Sequence, residues 1–463
     1  MTRYHARWIC PVAAPPIADG TLIEREGRIT YVGSRADAPR NGSDGDDVEL
    51  GHAILVPGLV NAHCHLELTA MRGFLDGLAF RPWILRLTAA RRAVMSPSDA
   101  LDAARLGVDE GLLAGITTFA DTGDSGTGFD AMLERGVRGI CYRETFGPAP
   151  EQADQAIAEL RETVLAMRER ETQLVRVGVS PHAPYTVSDA LFRATAALAR
   201  EQQFPIAIHI AESALESKLV VEGRGEFADG LRSRGIDIAP RGRSPIALLD
   251  SLGVLDVQPL LIHCVRVDDE DIAAIATHDC AVAHCPASNA KLGHGIAPLA
   301  AMLDAGIRVG LGTDSVASND RMELLGEARL AVLAANARGG RHDALDAARA
   351  LELTTLGSAR ALGLDAEIGT LEIGKSADLA AFPIAADRLP VHDPIASLVW
   401  ALAGTRASFV AVAGRVRVRD GVLIDGDPAL PQRVQRVADA LQRWLASPDG
   451  NRAITAPGVT PGR

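Results

Sequence analysis

The stretch Val56-Pro57-Gly58-Leu59-Val60-Asn61-Ala62-His63-Cys64-His65 ends in two histidines spaced two apart. Alternate residues of a β-strand share a face, so Leu59, Asn61, His63 and His65 are expected to line up and both imidazoles can reach one ion. An isolated His-x-His is more often a pair of hydrogen-bonded histidines than half a metal site. Here the pair is not isolated. Glu144, His182, His209 with Glu212, His263, His284 and Asp314 each close a further short apolar run. Polar residues recurring at successive strand ends are what one shared site requires. Three imidazoles and one carboxylate, His63, His65, His209 and Asp314, make a nitrogen and oxygen donor set suited to one divalent metal ion, zinc first, with iron or manganese also compatible. Such an ion acidifies water and polarises the group under attack, which is the chemistry of hydrolysis.

Repeated elements must deliver these groups. The His63 stretch and the runs Gly115–Thr122, Arg138–Thr145, Val175–His182, Phe204–Glu212, Leu260–Cys264, Ala281–Pro286 and Ile307–Asp314 read as eight strands. Between them lie helix-period segments: Pro97–Leu113, Glu151–Arg170, Ser188–Gln203, Asp268–Thr277 and Arg321–Ala337. Ser96-Pro97 and Ser188-Asp189 supply start signals, a hydroxyl for unpaired backbone donors and, in the first, a proline suited to the opening turn. The alternation predicts an α/β fold, a (β/α)8 TIM-type barrel with its chemistry at the C-terminal strand ends. An open doubly wound sheet is the alternative, but no glycine-rich phosphate loop follows any strand. Thr21–Glu24 and Glu26–Gly33 at one end, with Ile368–Phe382 and Ser408–Leu423 at the other, predict a small β-sandwich built from both chain ends. The expected organisation is residues 1–56 and 366–430 for the sandwich, 57–365 for the barrel, and 431–463 for a terminal helix (Val434–Leu445) and a disordered tail from Ser447. Arg40–Asp47 is expected to be an exposed loop.

The chain has 463 residues, 47% hydrophobic and 23% charged, enough for a large core and a smaller one. Its net charge is −12, lysine occurs only at Lys218, Lys291 and Lys375, and arginine is scattered. No basic face for nucleic acid or an anionic membrane follows from this, and a small-molecule substrate is expected. The six cysteines, Cys10, Cys64, Cys141, Cys264, Cys280 and Cys285, contain no Cys-x-x-Cys pair and read as buried thiols. The absence of a long apolar opening or spanning segment predicts a cytoplasmic protein. A symmetric homodimer is the default oligomer.

The motifs Pro57-Gly-Leu-Val-Asn-Ala-His63-Cys-His65, His209-Ile-Ala-Glu212, Leu261-Ile-His263-Cys264, His284-Cys-Pro-Ala-Ser-Asn-Ala-Lys-Leu-Gly293 and Gly312-Thr-Asp314-Ser315 resemble those of the amidohydrolase superfamily. Ile368-Gly-Thr-Leu-Glu-Ile-Gly-Lys375-Ser-Ala-Asp378 extends the resemblance to nearly the whole chain. Within the superfamily it is similar to the aminohydrolase branch of S-adenosylhomocysteine/methylthioadenosine deaminases and s-triazine chlorohydrolases. The resemblance implies that His63, His65, His209 and Asp314 ligate one metal, and that Asp314 also takes a proton from the attacking water. It further implies that His263 orients that water and the developing alkoxide, while Glu212 passes a proton to a ring nitrogen before ammonia leaves. Relatives with two metals bridge them with a carboxylated lysine, and no lysine precedes Lys218. Glu144 is the residue able to bridge a second ion. The His-x-Glu…Pro-Cys-x-x-Cys signature of the other zinc deaminase class is absent, which argues against nucleic-acid editing.

Trp83, eighteen residues after His65, stands where relatives place a tryptophan over the pocket, and His182-Ala-Pro-Tyr185 resembles their His-Ser-Pro-Tyr motif. Where adenosylhomocysteine deaminases carry a ribose-binding glutamate, this chain reads Arg86-Leu-Thr-Ala-Ala-Arg91-Arg92. His65-Leu-Glu67-Leu with Trp83, Tyr142-Arg143-Glu144-Thr-Phe-Gly147 and Gly293-His294-Gly295 are more similar to aminodeoxyfutalosine deaminases of menaquinone biosynthesis. The expectation is hydrolytic deamination of an adenine-type nucleoside, best 6-aminodeoxyfutalosine, whose benzoate would pair with Arg143, Arg91 or Arg92. Substrate contacts are then expected from Glu67, Trp83, Arg143, Glu144, His182 and Ser288. Competing readings are an S-adenosylhomocysteine/methylthioadenosine deaminase, an s-triazine chlorohydrolase and, from another class, a non-catalytic barrel that only binds. Simpler roles compete at single residues: Trp83 in the core, Glu67 holding a ligand histidine, Arg91 and Arg92 on a solvated face, Ser288 and Asn289 orienting a loop, and His294 exposed.

Overall fold

In the computed structural model, which describes residues 1–39 and 45–452, eight parallel strand positions close on themselves. The strands β1 (Leu59–His65), β2 (Ile116–Gly123), β3 (Arg138–Thr145) and β4 (Val175–Pro181) pair in order, as do β5 (Ala207–Ile210), β6 (Leu260–His263), β7 (Ala281–His284) and β8 (Arg308–Leu311). The two arcs join on both sides. β4 meets β5 through a bridge between Val179 and Ile206 and a 3.0 Å bond from the His209 N–H to the His182 carbonyl. β8 breaks at Gly312-Thr313 and resumes at Asp314–Ser315, which pairs with Cys64 and His65 of β1. Gly312 permits that closure, since a Cβ there would lie 2.8 Å from the backbone N and O of His63. The result is the (β/α)8 barrel.

The helices that return the chain between strands form where capping and periodicity favour them. Pro97–Leu113 opens with a full capping box, Ser96 accepting from the Asp99 N–H and the Asp99 carboxylate returning to the Ser96 N–H. Ala100, Ala103, Ala104, Gly107, Val108 and Gly111 bury its small-residue stripe. The terminal helix Leu430–Leu445 buries Leu430, Val434, Val437 and Leu441 in a cluster that also holds Phe80, Trp83 and Ala103.

β1 departs from simple alternation. Leu59 belongs to the large core, whereas Val60 and Ala62 pack with Ala120, Ile140, Ala207 and Ile262 from successive barrel strands. His63 and His65 have the parity of Leu59 yet face the mouth. Pairing to β2 slips between Asn61 and Cys64, and this bulge re-aims the histidines. The expected common face therefore holds for the two histidines but not for Leu59.

Both chain ends enter one nine-stranded sheet. Its junction is the antiparallel pair Ala53–Pro57 and Leu379–Pro383. Tyr4 and Phe409 touch with ring centroids 5.1 Å apart, although two strands lie between theirs in the hydrogen-bonded order. A flat sheet would hold them about 14 Å apart at three strand spacings, so the sheet curls around its own core of Tyr4, Leu22, Ile29, Leu55, Leu379 and Phe409. This is the small β-sandwich of the expected fold. Ile54, Val56, Phe382 and Val410 point the other way, into the barrel's core. Arg138 bonds Asp378 at 3.0 and 3.2 Å and Ser376 at 3.0 Å across the seam between sheet and barrel.

Two local expectations change. Asp46–Glu49 is a strand parallel to Thr2–His5 rather than loop, residues 40–44 lying outside the described residues. Pro448–Arg452 is a short helix where a tail was expected, and residues 453–463 lie outside the described residues. All six cysteines are buried and unpaired. Among the described residues no helix is long and apolar enough to cross a membrane.

Candidate metal centre and active site

At the C-terminal mouth of the barrel, His63 Nε2 lies 3.3 Å and His65 Nε2 3.4 Å from Asp314 Oδ1. His65 Nε2 is also 3.3 Å from His209 Nε2. A tetrahedral ion with bonds of about 2.0–2.1 Å requires donors about 3.3–3.4 Å apart. All three separations match that edge. Two of these groups are tied back to the protein through their other polar atom: His63 Nδ1 to Thr122 Oγ1 at 2.9 Å, and Asp314 Oδ2 to the hydroxyls of Ser288 at 2.5 Å and Ser318 at 3.1 Å. His63 Nε2 is buried without a hydrogen-bond partner, which a coordinated cation would supply.

Electrostatics agree with that fit. Burial, assisted by the His63 ring, lowers His65 to about 3, and burial with the surrounding imidazoles holds His209 well below its usual value. These rings are neutral donors. Burial by itself would raise Asp314, but the imidazoles of His63, His263 and His65 outweigh it and keep the carboxyl ionised. Three neutral nitrogens and one anionic oxygen suit a divalent metal. Ala211, His263 and Asp314 adopt left-handed backbone with φ of 52°, 79° and 56°. Such strain in non-glycine residues collects where surrounding structure over-determines it.

Glu212 follows β5. Its Oε1 lies 3.2 Å from His294 Nε2 and 3.6 Å from His263 Nε2, and His263 Nδ1 is 3.0 Å from Asn289 Oδ1. Burial pushes the Glu212 carboxyl up, but His263 and His294 more than reverse this and leave it below the ordinary value. His294 is only 3% exposed, which overturns its reading as an exposed loop histidine.

A cavity of about 280 Å³ opens onto these groups, and Glu67, Trp83, Glu144 and His182 are in its wall. Trp83 both lines the cavity and stacks on Phe80, centroids 6.4 Å apart. Arg91 also lines it, bonding Asp124 closely and Glu67 at 2.8 Å. It is thus not on a solvated face. Glu67 pairs with Arg91 and Ser125 rather than with a ligand histidine. Arg92 is in the wall; Arg143 and Ser288 are not, and Ser288 instead holds Asp314.

Glu144, His182 and His209 form a neighbouring polar group of another size. Glu144 Oε1 is 3.9 Å from His182 Nε2 and 4.0 Å from His209 Nδ1. These gaps exceed the tetrahedral edge by about half an ångström, but an atom about 2.8 Å from each, at hydrogen-bond length, fits. Glu144 Oε1 and His209 Nδ1 are both buried without a partner. Burial, reinforced by the charges of Asp124 and Glu67, lifts the Glu144 carboxyl well above the usual range. The arrangement suits a hydrogen-bonded ligand atom better than a second ion. His284 is buried behind the mouth and does not line the cavity.

The sequence pattern of the amidohydrolase family matches residues 54–428. The chain belongs to the amidohydrolase family. Membership, together with relatives named as deaminases, supports a hydrolase acting on carbon–nitrogen bonds. A 5-methylthioadenosine/S-adenosylhomocysteine deaminase of Moorella thermoacetica is 32% identical over 93% of this chain and 97% of its own length. The crystal structure of an adenosine deaminase from Xanthomonas campestris with bound zinc superposes with a TM-score of 0.84 at 29% identity, covering 96% of this chain and 98% of the other. Atrazine chlorohydrolase TrzN from Arthrobacter aurescens TC1, complexed with zinc, gives 0.82 at 26% identity over 95% and 100%.

In this amidohydrolase the polar residues that sequence reading overlooked are Thr122, Asp124 and Ser318. Thr122 and Asp124 carry the signal that singled out Glu144, since they stand at the end of a barrel strand. Ser318 lies in a short helix after β8 and had no such mark.

Proposed function

We propose that this amidohydrolase is a metal-dependent hydrolytic deaminase of an adenine-type nucleoside. The observation that carries the reading is the pairing, at one end of one cavity, of a donor set whose His63–Asp314, His65–Asp314 and His65–His209 separations are 3.3–3.4 Å with a separate carboxyl, Glu212, between two imidazoles. His63, His65, His209 and Asp314 would hold the ion, zinc as in the Xanthomonas and Arthrobacter structures. When bound, such an ion makes water a competent nucleophile near neutral pH and polarises its target. Asp314 takes the proton of the attacking water, with Ser288 and Ser318 fixing its other oxygen. Glu212 carries a proton to the ring nitrogen, and His263, steadied by Asn289, orients the water's oxygen. The carbon–nitrogen bond to the exocyclic amine breaks, ammonia leaves, and a carbonyl remains on the ring. Trp83 offers an aromatic face, and the unpartnered Glu144 Oε1, with His182 beside it in the cavity wall, suits a polar appendage.

For the appendage, 6-aminodeoxyfutalosine was the specific expectation. Arg91 and Arg92 line the cavity and Arg143 does not, so the first two are the candidates for recognition of its benzoate. The thioether nucleosides named for the Moorella relative are the second reading, favoured by its identity over nearly its full length. The test is ammonia release by zinc-loaded protein from 6-aminodeoxyfutalosine, S-adenosylhomocysteine, methylthioadenosine, adenosine and a chlorotriazine at equal concentration. Turnover of an adenine nucleoside is expected. Chloride release from the triazine with no ammonia from any nucleoside would overturn the proposal.

A further inference from the structure

Glu216 lies outside the cavity and has no part in the chemistry above, yet it is completely buried. It sits in the first turn of the helix Ala214–Glu222, whose N-cap is Ser213. In a capping box, a glutamate at this position turns back to the N-cap N–H. Glu216 reaches further. One carboxyl oxygen accepts the Ala211 N–H and the other the Glu212 N–H, both at 2.8 Å. These two amides flank the point where the chain leaves β5 with Ala211 at a φ of 52°. A left-handed conformation is strained for alanine, so something must hold it. The Arg266 N–H bonds the Ala211 carbonyl at 2.8 Å from the other side. Burial pushes the Glu216 carboxyl up to about 8 even though the backbone donors draw it down. A carboxylate is costly to bury here, and a simple helix start needs only Ser213, which already caps the Glu216 N–H at 3.2 Å.

We propose that Glu216 is a positioning residue for Glu212, fixing the Ala211–Glu212 backbone so that the Glu212 carboxyl stands within reach of His263 and His294. The inference rests on Glu212 as the proton carrier. Glu216→Gln keeps one acceptor oxygen but turns an NH2 toward the second backbone N–H, so one clamp is replaced by two opposed donors. Glu216→Asp keeps the carboxyl on a side chain too short to reach both amides.

The test measures kcat, KM, the pH profile of kcat and bound zinc for both variants with methylthioadenosine, beside Ser213→Ala, which removes the helix cap and leaves the clamp. For Glu216→Gln, kcat is expected to fall 10- to 100-fold with KM within threefold, one zinc per chain and a displaced pH profile. Glu216→Asp is expected between this and the parent, and Ser213→Ala within twofold of the parent kcat. Parent kcat and pH profile in Glu216→Gln would overturn the positioning role, as would losses in Ser213→Ala equal to those in Glu216→Gln. If Glu216→Gln does not fold, a parent-like profile in Glu216→Asp overturns it. A fully active Glu212→Gln would instead remove the assignment of Glu212 on which it stands.

Discussion

Strand β3 carries a charged side chain near each end, and the two are equally buried, Arg138 and Glu144 each 7% exposed. Their partners differ. Arg138 spends its donors on Asp378 and Ser376, and Asp378 also accepts the Ala413 N–H at 2.8 Å and the Ser376 hydroxyl at 2.7 Å. Glu144 Oε1 has no partner, nor has His209 Nδ1 facing it or His63 Nε2 nearby. Burial alone therefore does not separate a charge satisfied within the chain from one with hydrogen-bond capacity left over. At the seam the charge is met by a carboxylate of the same chain and joins sheet to barrel. At the mouth capacity is left over, and unused capacity in a buried site is costly unless a ligand takes it up.

The largest test of this contrast is His209→Ala, which should abolish stoichiometric metal and lower kcat/KM by at least about 10³-fold, since the ion supplies nucleophile and polarisation together. Elemental analysis with a turnover assay checks it, and a metal-replete, active variant would break the reading of the mouth. Glu212→Gln should retain the metal while kcat falls by about 10²- to 10⁴-fold, the range for a lost proton carrier. Loss of metal alongside activity would mean that Glu212 helps to build the site rather than serve it.

At the other end of β3, Arg138→Met leaves Asp378 buried without its cation and should cost about 3–5 kcal/mol in urea unfolding. The kcat of the folded fraction should stay within about twofold. Unchanged stability would show that the seam is no more committed than the mouth. Glu144→Gln sharpens the comparison from the opposite side. It replaces a carboxyl whose Oε1 has no hydrogen-bond partner, so stability should change by less than about 1 kcal/mol, while KM rises about tenfold, worth about 1.4 kcal/mol. A stability loss as large as that at Arg138 would erase the distinction between the two ends.

Much of the architecture follows from local pattern. Short apolar runs alternating with helix-period segments mark the barrel, and each metal-donor candidate stands where such a run stops. Ser96 shows how local a helix start can be, because its cap needs nothing beyond Asp99. The site readings that changed depend on partners far away in the chain. His294 looked exposed because its partners, Glu212 and Phe80, belong to other segments. Arg91 looked solvated because Glu67 and Asp124 come from the loops after β1 and β2.

The sequence by itself determined which groups exist and the rhythm that brings them to one end of a barrel, because residue type and hydrophobic period are properties of the chain alone. It also determined the donor chemistry, three imidazoles with a carboxylate. Only the tertiary structure decided the bulge that turns His63 and His65 to the mouth, the 3.3–3.4 Å spacing among the donors there and the wider 3.9–4.0 Å gaps at Glu144. The physical reason is that a strand's pairing register and a side chain's unused hydrogen-bond capacity are set by whatever packs against them, and those neighbours come from distant segments.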